Sequence, residues 1–193
     1  MTIKTITGFA GSLSMPSRSR ALVQTAVDLA AARFGALGHV FDLSEIGPSL
    51  GTARHLADLE PEALELVGSL IHSDALVIAT PVHKGSYSGL FKHVFDLLDP
   101  GMLAGKPVLL AASGGGERHA LVIEHHLRPL MGFFEAQTLP TGVYVSDRDF
   151  IGGKLVDEAA RLRLGRAVGQ FAPFLSHPSG STEAQAAPFV NAR

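Results

Sequence analysis

Residues 3–19 read Ile3-Lys4-Thr5-Ile6-Thr7-Gly8-Phe9-Ala10-Gly11-Ser12-Leu13-Ser14-Met15-Pro16-Ser17-Arg18-Ser19. Ile3 to Phe9 is a short apolar run of strand length, and the hydroxyl-rich turn after it opens an amphipathic helix. Leu22, Val23, Ala26, Leu29, Ala30 and Phe34 recur there at helical spacing, with Gly35 and Gly38 suited to its stop. A strand that enters a helix through such a turn gathers unpaired backbone N–H groups, serine hydroxyls and the positive end of the helix dipole at one point. Arg18 adds a rigid fork of donors matched to phosphate oxygens. The turn therefore reads as a seat for a phosphate monoester. Ser17 or Ser19 acting as an ordinary helix cap accounts for the same residues, and the turn by itself leaves both readings open.

Two common phosphate loops are excluded. The turn lacks the Gly-Lys-Ser/Thr ending that sets a lysine against a β/γ-phosphate. It also lacks the Gly-x-Gly-x-x-Gly spacing that lets a dinucleotide pyrophosphate lie on the backbone. What fits is a small dianion held by hydroxyls and amides.

The remaining sequence repeats the strand-then-helix pattern. His39 to Leu43 predicts a short strand, Ser44 to Asp58 a loop broken by Gly47, Pro48 and Gly51, and Pro61 to Ser73 a helix with proline in its first turn. Ala75-Leu76-Val77-Ile78-Ala79 and Pro107-Val108-Leu109-Leu110-Ala111-Ala112 are continuous apolar runs, as strands buried on both faces of a parallel sheet require. Helices are predicted over about 88–98, 118–134 and 154–175, with a fifth strand near Gly142 to Val145. Five strands alternating with five helices specify an α/β fold, a doubly wound five-stranded parallel sheet in the flavodoxin-like order 2-1-3-4-5. Residues 1–175 form one domain. From His177 the composition shifts to Pro, Ser, Gly, Ala and Gln, so residues 176–193 read as a mobile tail, or else as an arm that packs on another subunit.

Composition narrows the chemistry. The chain has 193 residues, 46% of them apolar, which suits a single domain with a sizeable core. Its net charge of −2 gives no electrostatic case for nucleic acid or an anionic membrane. It contains no cysteine, which removes disulfides, thiolate metal sites, iron–sulfur clusters and cysteine nucleophiles. No metal site is expected, and redox chemistry requires a borrowed cofactor. The N-terminal residues carry no signal-peptide pattern and no stretch reaches membrane-spanning length, so the expected location is the cytoplasm.

In an open α/β sheet the ligand sits outside the carboxyl ends of the strands, where the loops after the first, third and fourth strands converge. The second of these loops is Thr80-Pro81-Val82-His83-Lys84-Gly85-Ser86-Tyr87-Ser88-Gly89. Its proline sets the bend, and its backbone groups suit a planar heterocycle with alternating acceptors and donors along one edge. The third loop, Ser113-Gly114-Gly115-Gly116, removes three side chains at one strand end and lets a ligand approach the backbone. Each has a plainer reading, a capped strand-to-helix connection and a flexible turn.

Together these loops resemble the NADPH-dependent FMN reductase family of flavodoxin-like proteins over about Thr5 to Val145. Gly11-Ser12…Pro16-Ser17-Arg18-Ser19, Thr80-Pro81-Val82-His83-Lys84…Tyr87-Ser88-Gly89 and Leu127-Arg128-Pro129 are similar to the FMN reductases that serve two-component alkanesulfonate and methanesulfonate monooxygenases. The resemblance implies that Ser12, Ser17, Arg18 and Ser19 hold the FMN phosphate. It sets Pro81, Val82, His83 and Lys84 along the isoalloxazine, and Ser113, Gly114 and Gly115 beneath its other edge. His83 stands where relatives often carry tyrosine, and Leu13-Ser14 stands where many carry an arginine after the serine. The implied activity is NAD(P)H-dependent reduction of FMN by hydride transfer to flavin N5, with reduced flavin leaving for an FMNH2-dependent monooxygenase partner. No acid–base residue is obligatory, and Lys84 offsets charge on the reduced flavin or is simply solvated.

Within the predicted helix over 118–134, Pro129 removes a helical N–H and abuts the carbonyl of His125, which predicts a kink or π-bulge. The resemblance implies that this helix lies at the subunit interface of a homodimer or homotetramer, with His125 at the position of an aromatic insertion linked to flavin exchange. Adjacent His125 and His126 diverge by about 100° around a helix, which argues against a shared metal. Rival functions are an azo-dye or quinone reductase with tightly held FMN and a flavodoxin-type electron carrier. The latter class is usually strongly acidic, which −2 is not. Gly85-Ser86-Tyr87-Ser88-Gly89 has the glycine spacing of a hydrolase elbow, but Tyr87 occupies the nucleophile's place. Spacing sets no arginine against a 2′-phosphate.

Overall fold

The computed structural model describes residues 2–176. Residues 177–193, which carry nearly all of the expected tail, lie outside the described part. β1 (Thr5–Ala10) leads through the serine turn to α1 (Arg18–Phe34), then to β2 (Leu37–Asp42), the short α2 (Leu43–Ile46), α3 (Pro61–His72), β3 (Ala75–Pro81), α4 (Gly89–Asp96) and β4 (Pro107–Gly114). A π-helical turn (Ile123–Leu127) runs directly into α5 (Arg128–Phe133). β5 (Gln137–Thr138), β6 (Val143–Ser146), the hairpin β7 (Phe150–Ile151) and β8 (Lys154–Leu155), α6 (Glu158–Gly169) and α7 (Ala172–Leu175) complete the order.

The sheet is parallel and runs β2-β1-β3-β4, with β5 and β6 both pairing with β4. Register across its centre aligns Phe9 with Phe41 on one side and with Ile78 on the other, and Ile78 with Leu110. Helices cover both faces. On one, Phe9 stacks on Phe41 and Phe91 at ring separations of 5.1 and 5.5 Å beneath α3 and α4. On the other, Ile6, Val77, Leu109 and Val143 meet α1 and α6. The doubly wound architecture and its strand order follow the reading of the apolar runs.

Close packing explains one glycine that the sequence assigned otherwise. Gly38 lies inside β2 rather than at the end of α1, because a Cβ there would stand 2.6 Å from Val27. Gly35 alone ends the helix, at φ +66°. Gly8 likewise admits α1 to β1, since a Cβ would fall 2.3 Å from Val23.

Four expectations are corrected. The fifth strand is split: β5 pairs with the start of β4 and β6 with its end, separated by Leu139-Pro140-Thr141-Gly142. Pro140 cannot donate to the ladder, and Arg163 of α6 and Gln170 at its C-cap supply the missing partners. Arg163 Nε donates to the Gly142 carbonyl at 2.7 Å, and the Thr141 amide donates to Gln170 Oε1 at 3.1 Å. The predicted last helix begins instead as a hairpin, because Gly152 and Gly153 both adopt positive φ (+56° and +78°), as a two-residue hairpin turn of this twist demands. Its helical part is two pieces, α6 and α7. The predicted loop after β2 contains α2 and two 3-10 turns, α2 being closed by Asp42 and Glu45 in a capping box.

The predicted helix over 118–134 is the fourth correction. It divides into a 3-10 turn (Glu117–His119), the π turn and α5. In the π turn the Arg128 amide donates to the Ile123 carbonyl, one residue further back than in an α-helix. The wider turn puts Pro129 in the first turn of α5, where its missing N–H has no intrahelical role. This is the bulge that Pro129 predicts.

Candidate functional site

The carboxyl ends of β1, β3 and β4 are tied together by hydrogen bonds between their loops. The Gly11 amide donates to the Ala79 carbonyl at 2.7 Å, and the Val82 amide to the Ser113 carbonyl at 2.7 Å. Ser19 Oγ and Ser113 Oγ, both buried, share a hydrogen bond of 2.8 Å. Gly11 is required by packing, because a Cβ would meet the Phe91 ring at 2.4 Å. One edge of the sheet thus brings the three loops singled out by sequence into one connected surface.

In the first loop Ser17 is the N-cap of α1, its Oγ accepting from the Arg20 amide at 3.1 Å. Ser12, buried, accepts from the Ser14 amide at 3.1 Å. Cap and anion seat are compatible, because a hydroxyl that accepts with a lone pair keeps its O–H to donate. None of the hydrogen bonds among the described residues takes up the backbone N–H of Leu13, Met15, Ser17, Arg18 or Ser19. These amides surround the positive end of a 17-residue helix. The donor set fits a phosphate monoester such as that of FMN.

Arg18 is the first residue of α1 and is ion-paired with Asp147, which follows β6. Both side chains are substantially exposed. Asp147 lies outside the three loops singled out by sequence. It lies after the last sheet strand, at the same carboxyl edge, where the topology rule would have found it.

In the second loop Pro81 ends β3 and Val82 packs on the core. His83, Lys84, Gly85 and Ser86 form a tight turn in which the His83 amide donates to the Ser86 carbonyl at 2.8 Å and the Ser86 amide returns a bond at 3.0 Å. Lys84 and Gly85 both have positive φ, +50° and +86°, as a type I′ turn requires. A lysine in the left-handed region is uncommon, and such strain gathers at functional positions. Ser86 Oγ lies 3.1 Å from His126 Nδ1, and the Tyr87 and His126 rings meet edge to face at 6.0 Å, so this loop rests on the π turn. That contact leaves no mark in the sequence, since it depends on the helical register across the bulge.

In the third loop Gly114 is explained by packing: a Cβ would stand 2.3 Å from the Tyr144 hydroxyl, which donates to the Gly116 carbonyl at 2.6 Å. Burial, with Glu117 adding to it, pushes the Tyr144 phenol above its ordinary pKa, so it stays a donor. At Gly115 and Gly116 nothing lies within 4 Å of where a Cβ would stand. The chain's own packing does not call for glycine there, and the bare backbone leaves room for a planar ligand. Among the described residues no group of three or more His, Asp or Glu is placed to hold a metal ion. None of their helices is long and apolar enough to cross a membrane.

NADH-dependent FMN reductase SfnE of Pseudomonas putida is 43% identical over 171 residues, covering 86% of this chain and 91% of that protein. FMN reductase (NADPH) of Pseudomonas aeruginosa is 41% identical over 170 residues, covering 87% and 90%. The crystal structure of an oxidoreductase from Corynebacterium diphtheriae superposes with a TM-score of 0.75 at 36% identity, covering 90% of this chain and 97% of that one. Residues 5–150, which hold all three loops, match the model of the NADPH-dependent FMN reductases, and the chain belongs to that family of NAD(P)H:FMN oxidoreductases.

Proposed function

We propose that this enzyme reduces FMN taken up from solution and releases it, reduced, to a two-component alkanesulfonate or methanesulfonate monooxygenase. The observation that carries the reading is the first loop. Its free amides, the hydroxyls of Ser12 and Ser17 and the Arg18 guanidinium form a dianion seat on an exposed turn, where a ligand enters and leaves without opening the core. Bound FMN supplies a hydride acceptor at N5 for the nicotinamide.

The chain's residues bind and orient. Ser12, Ser17, Arg18 and the amides around them anchor the phosphate, while Ser19 supports the seat through Ser113. Pro81, Val82, His83 and Lys84 border the ring, with the Lys84 ammonium near charge that develops on it. Ser113, Gly114 and Gly115 form the opposite floor. Exposed Phe133 on α5, beside an apolar groove of about 490 Å³ with Phe95 and Leu130, supports self-association through this helix, which carries Pro129 and follows His125.

A steady-state comparison of NADH and NADPH with FMN, FAD and riboflavin tests the proposal. FMN is expected to exceed riboflavin by at least about tenfold in kcat/KM, because riboflavin lacks the group that the charged seat reads. Flavin retained through gel filtration together with ping-pong quinone kinetics would instead mark a quinone reductase.

A further inference from the structure

A small cavity, of about 120 Å³, opens between the His83–Ser86 turn and the π turn. Gly85, Arg118, His119, Leu121, Val122, His125 and His126 line it, and no carboxylate does. The acids nearest in sequence are committed elsewhere: Glu117 pairs with Arg148 and Glu124 with Arg128. Among the described residues Arg118 has no ion-pair partner. His126 uses Nδ1 toward Ser86, which leaves Nε2 as its remaining polar ring atom. The cavity therefore offers one permanent cation and three imidazoles with nothing anionic to answer them.

Its size sets what it takes. Pockets for whole drug-sized ligands run to about 300–1,000 Å³, so this one holds a single group. A tetrahedral dianion matches a guanidinium fork with imidazole donors around it. Its place sets the source, because Gly85 belongs both to this wall and to the turn whose Lys84 borders the flavin position. A dinucleotide with its nicotinamide over that position extends its remaining parts across neighbouring surface.

We infer that Arg118, with His119, His125 and His126, forms a subsite for the 2′-phosphate of NADPH. The inference rests on the reading of the Lys84 loop as the flavin edge. Arg118 is exposed, so its removal leaves the core intact.

The test is kcat/KM of the full chain for NADPH and for NADH at fixed FMN, in wild type, Arg118→Ala and Arg118→Lys. Arg118→Ala is expected to lower the NADPH value roughly ten- to a hundredfold, through KM, and to leave the NADH value within about twofold. Arg118→Lys should recover part of the loss, since a point charge replaces the fork. Equal losses with both dinucleotides, or none with NADPH, overturn the assignment. Binding of 2′,5′-ADP and 5′-AMP, measured calorimetrically, separates failure of the subsite from failure of the flavin reading. Preference for 2′,5′-ADP that vanishes in Arg118→Ala upholds the subsite even if FMN turnover is absent, and no preference in wild type overturns it.

Discussion

Arg18 and Asp147 form an ion pair at the candidate phosphate seat. The guanidinium suited to the flavin phosphate is already paired with a carboxylate across the sheet edge. Exposed pairs of this kind contribute at most about 1 kcal/mol to folding, but a fixed negative charge beside a dianion seat opposes the ligand directly. Asp147→Asn is therefore expected to leave the denaturation midpoint nearly unchanged and to tighten FMN binding by roughly three- to tenfold. Arg18→Ala is expected to weaken it by about ten- to a hundredfold. Flavin fluorescence titration reads both. Unchanged affinity in Asp147→Asn, alongside a large loss in Arg18→Ala, would show that the carboxylate does not compete. Arg18 was legible in the sequence as a candidate phosphate ligand because the strand–turn–helix context defines its surroundings within a few residues. Asp147 was not, because its relation to Arg18 exists only through the sheet, across more than a hundred residues of chain.

The same division between local and long-range signals governs the secondary elements. Buried strands announce themselves as unbroken apolar runs, and β1, β3 and β4 lie where those runs are. The π turn was foreshadowed by Pro129, since a proline ring excludes the carbonyl four residues back whatever surrounds it. The β7–β8 hairpin was hidden inside a helical pattern, although Gly152-Gly153 is the turn signal it uses. The split of the fifth strand depends on Arg163 of α6 and on Gln170 just beyond it, which only the folded chain brings to Gly142 and Thr141. Ser19, read as a phosphate ligand, is buried against Ser113 and joins two loops, a role set by the packing of α1 on β4. The turn after β3 offers a test of strain kept for use. Lys84 at φ +50° carries a left-handed penalty of about 1–2 kcal/mol that glycine does not. Lys84→Gly is expected to raise stability toward chemical denaturation by up to about 1 kcal/mol, less than the full penalty because glycine is freer when unfolded. It is also expected to raise KM for FMN several-fold by removing the loop's cation. A variant that gains stability with KM unchanged would reduce Lys84 to a solvated turn residue.

Across the whole molecule, the site lies where three parallel strands end, and the loops there are joined to one another by few bonds: Gly11 to Ala79, Val82 to Ser113, Ser19 to Ser113. The core beneath is continuous and aromatic, whereas the turns proposed to face the ligand, Leu13 to Pro16 and His83 to Gly85, are exposed. Stability is therefore uneven, with the rim held least. A ligand that bridges the rim stabilises the native state only in proportion to its affinity. At a concentration about a hundred times its Kd the gain is about 2.7 kcal/mol. In a chain of this length each kcal/mol moves Tm by roughly 2–4 °C, so saturating FMN is expected to raise Tm by about 5–11 °C. Riboflavin at the same concentration shares the ring but lacks the anion that the free amides and Arg18 are proposed to read, and a tenfold weaker ligand forfeits about 1.4 kcal/mol of that gain, or roughly 3–6 °C. Thermal unfolding of the apo protein with each flavin, followed by circular dichroism, measures the difference directly. Equal shifts would mean that the ring alone is bound and that the serine turn serves as a helix cap. A larger shift for FMN that collapses in Arg18→Ala would locate the discrimination at the N-terminus of α1.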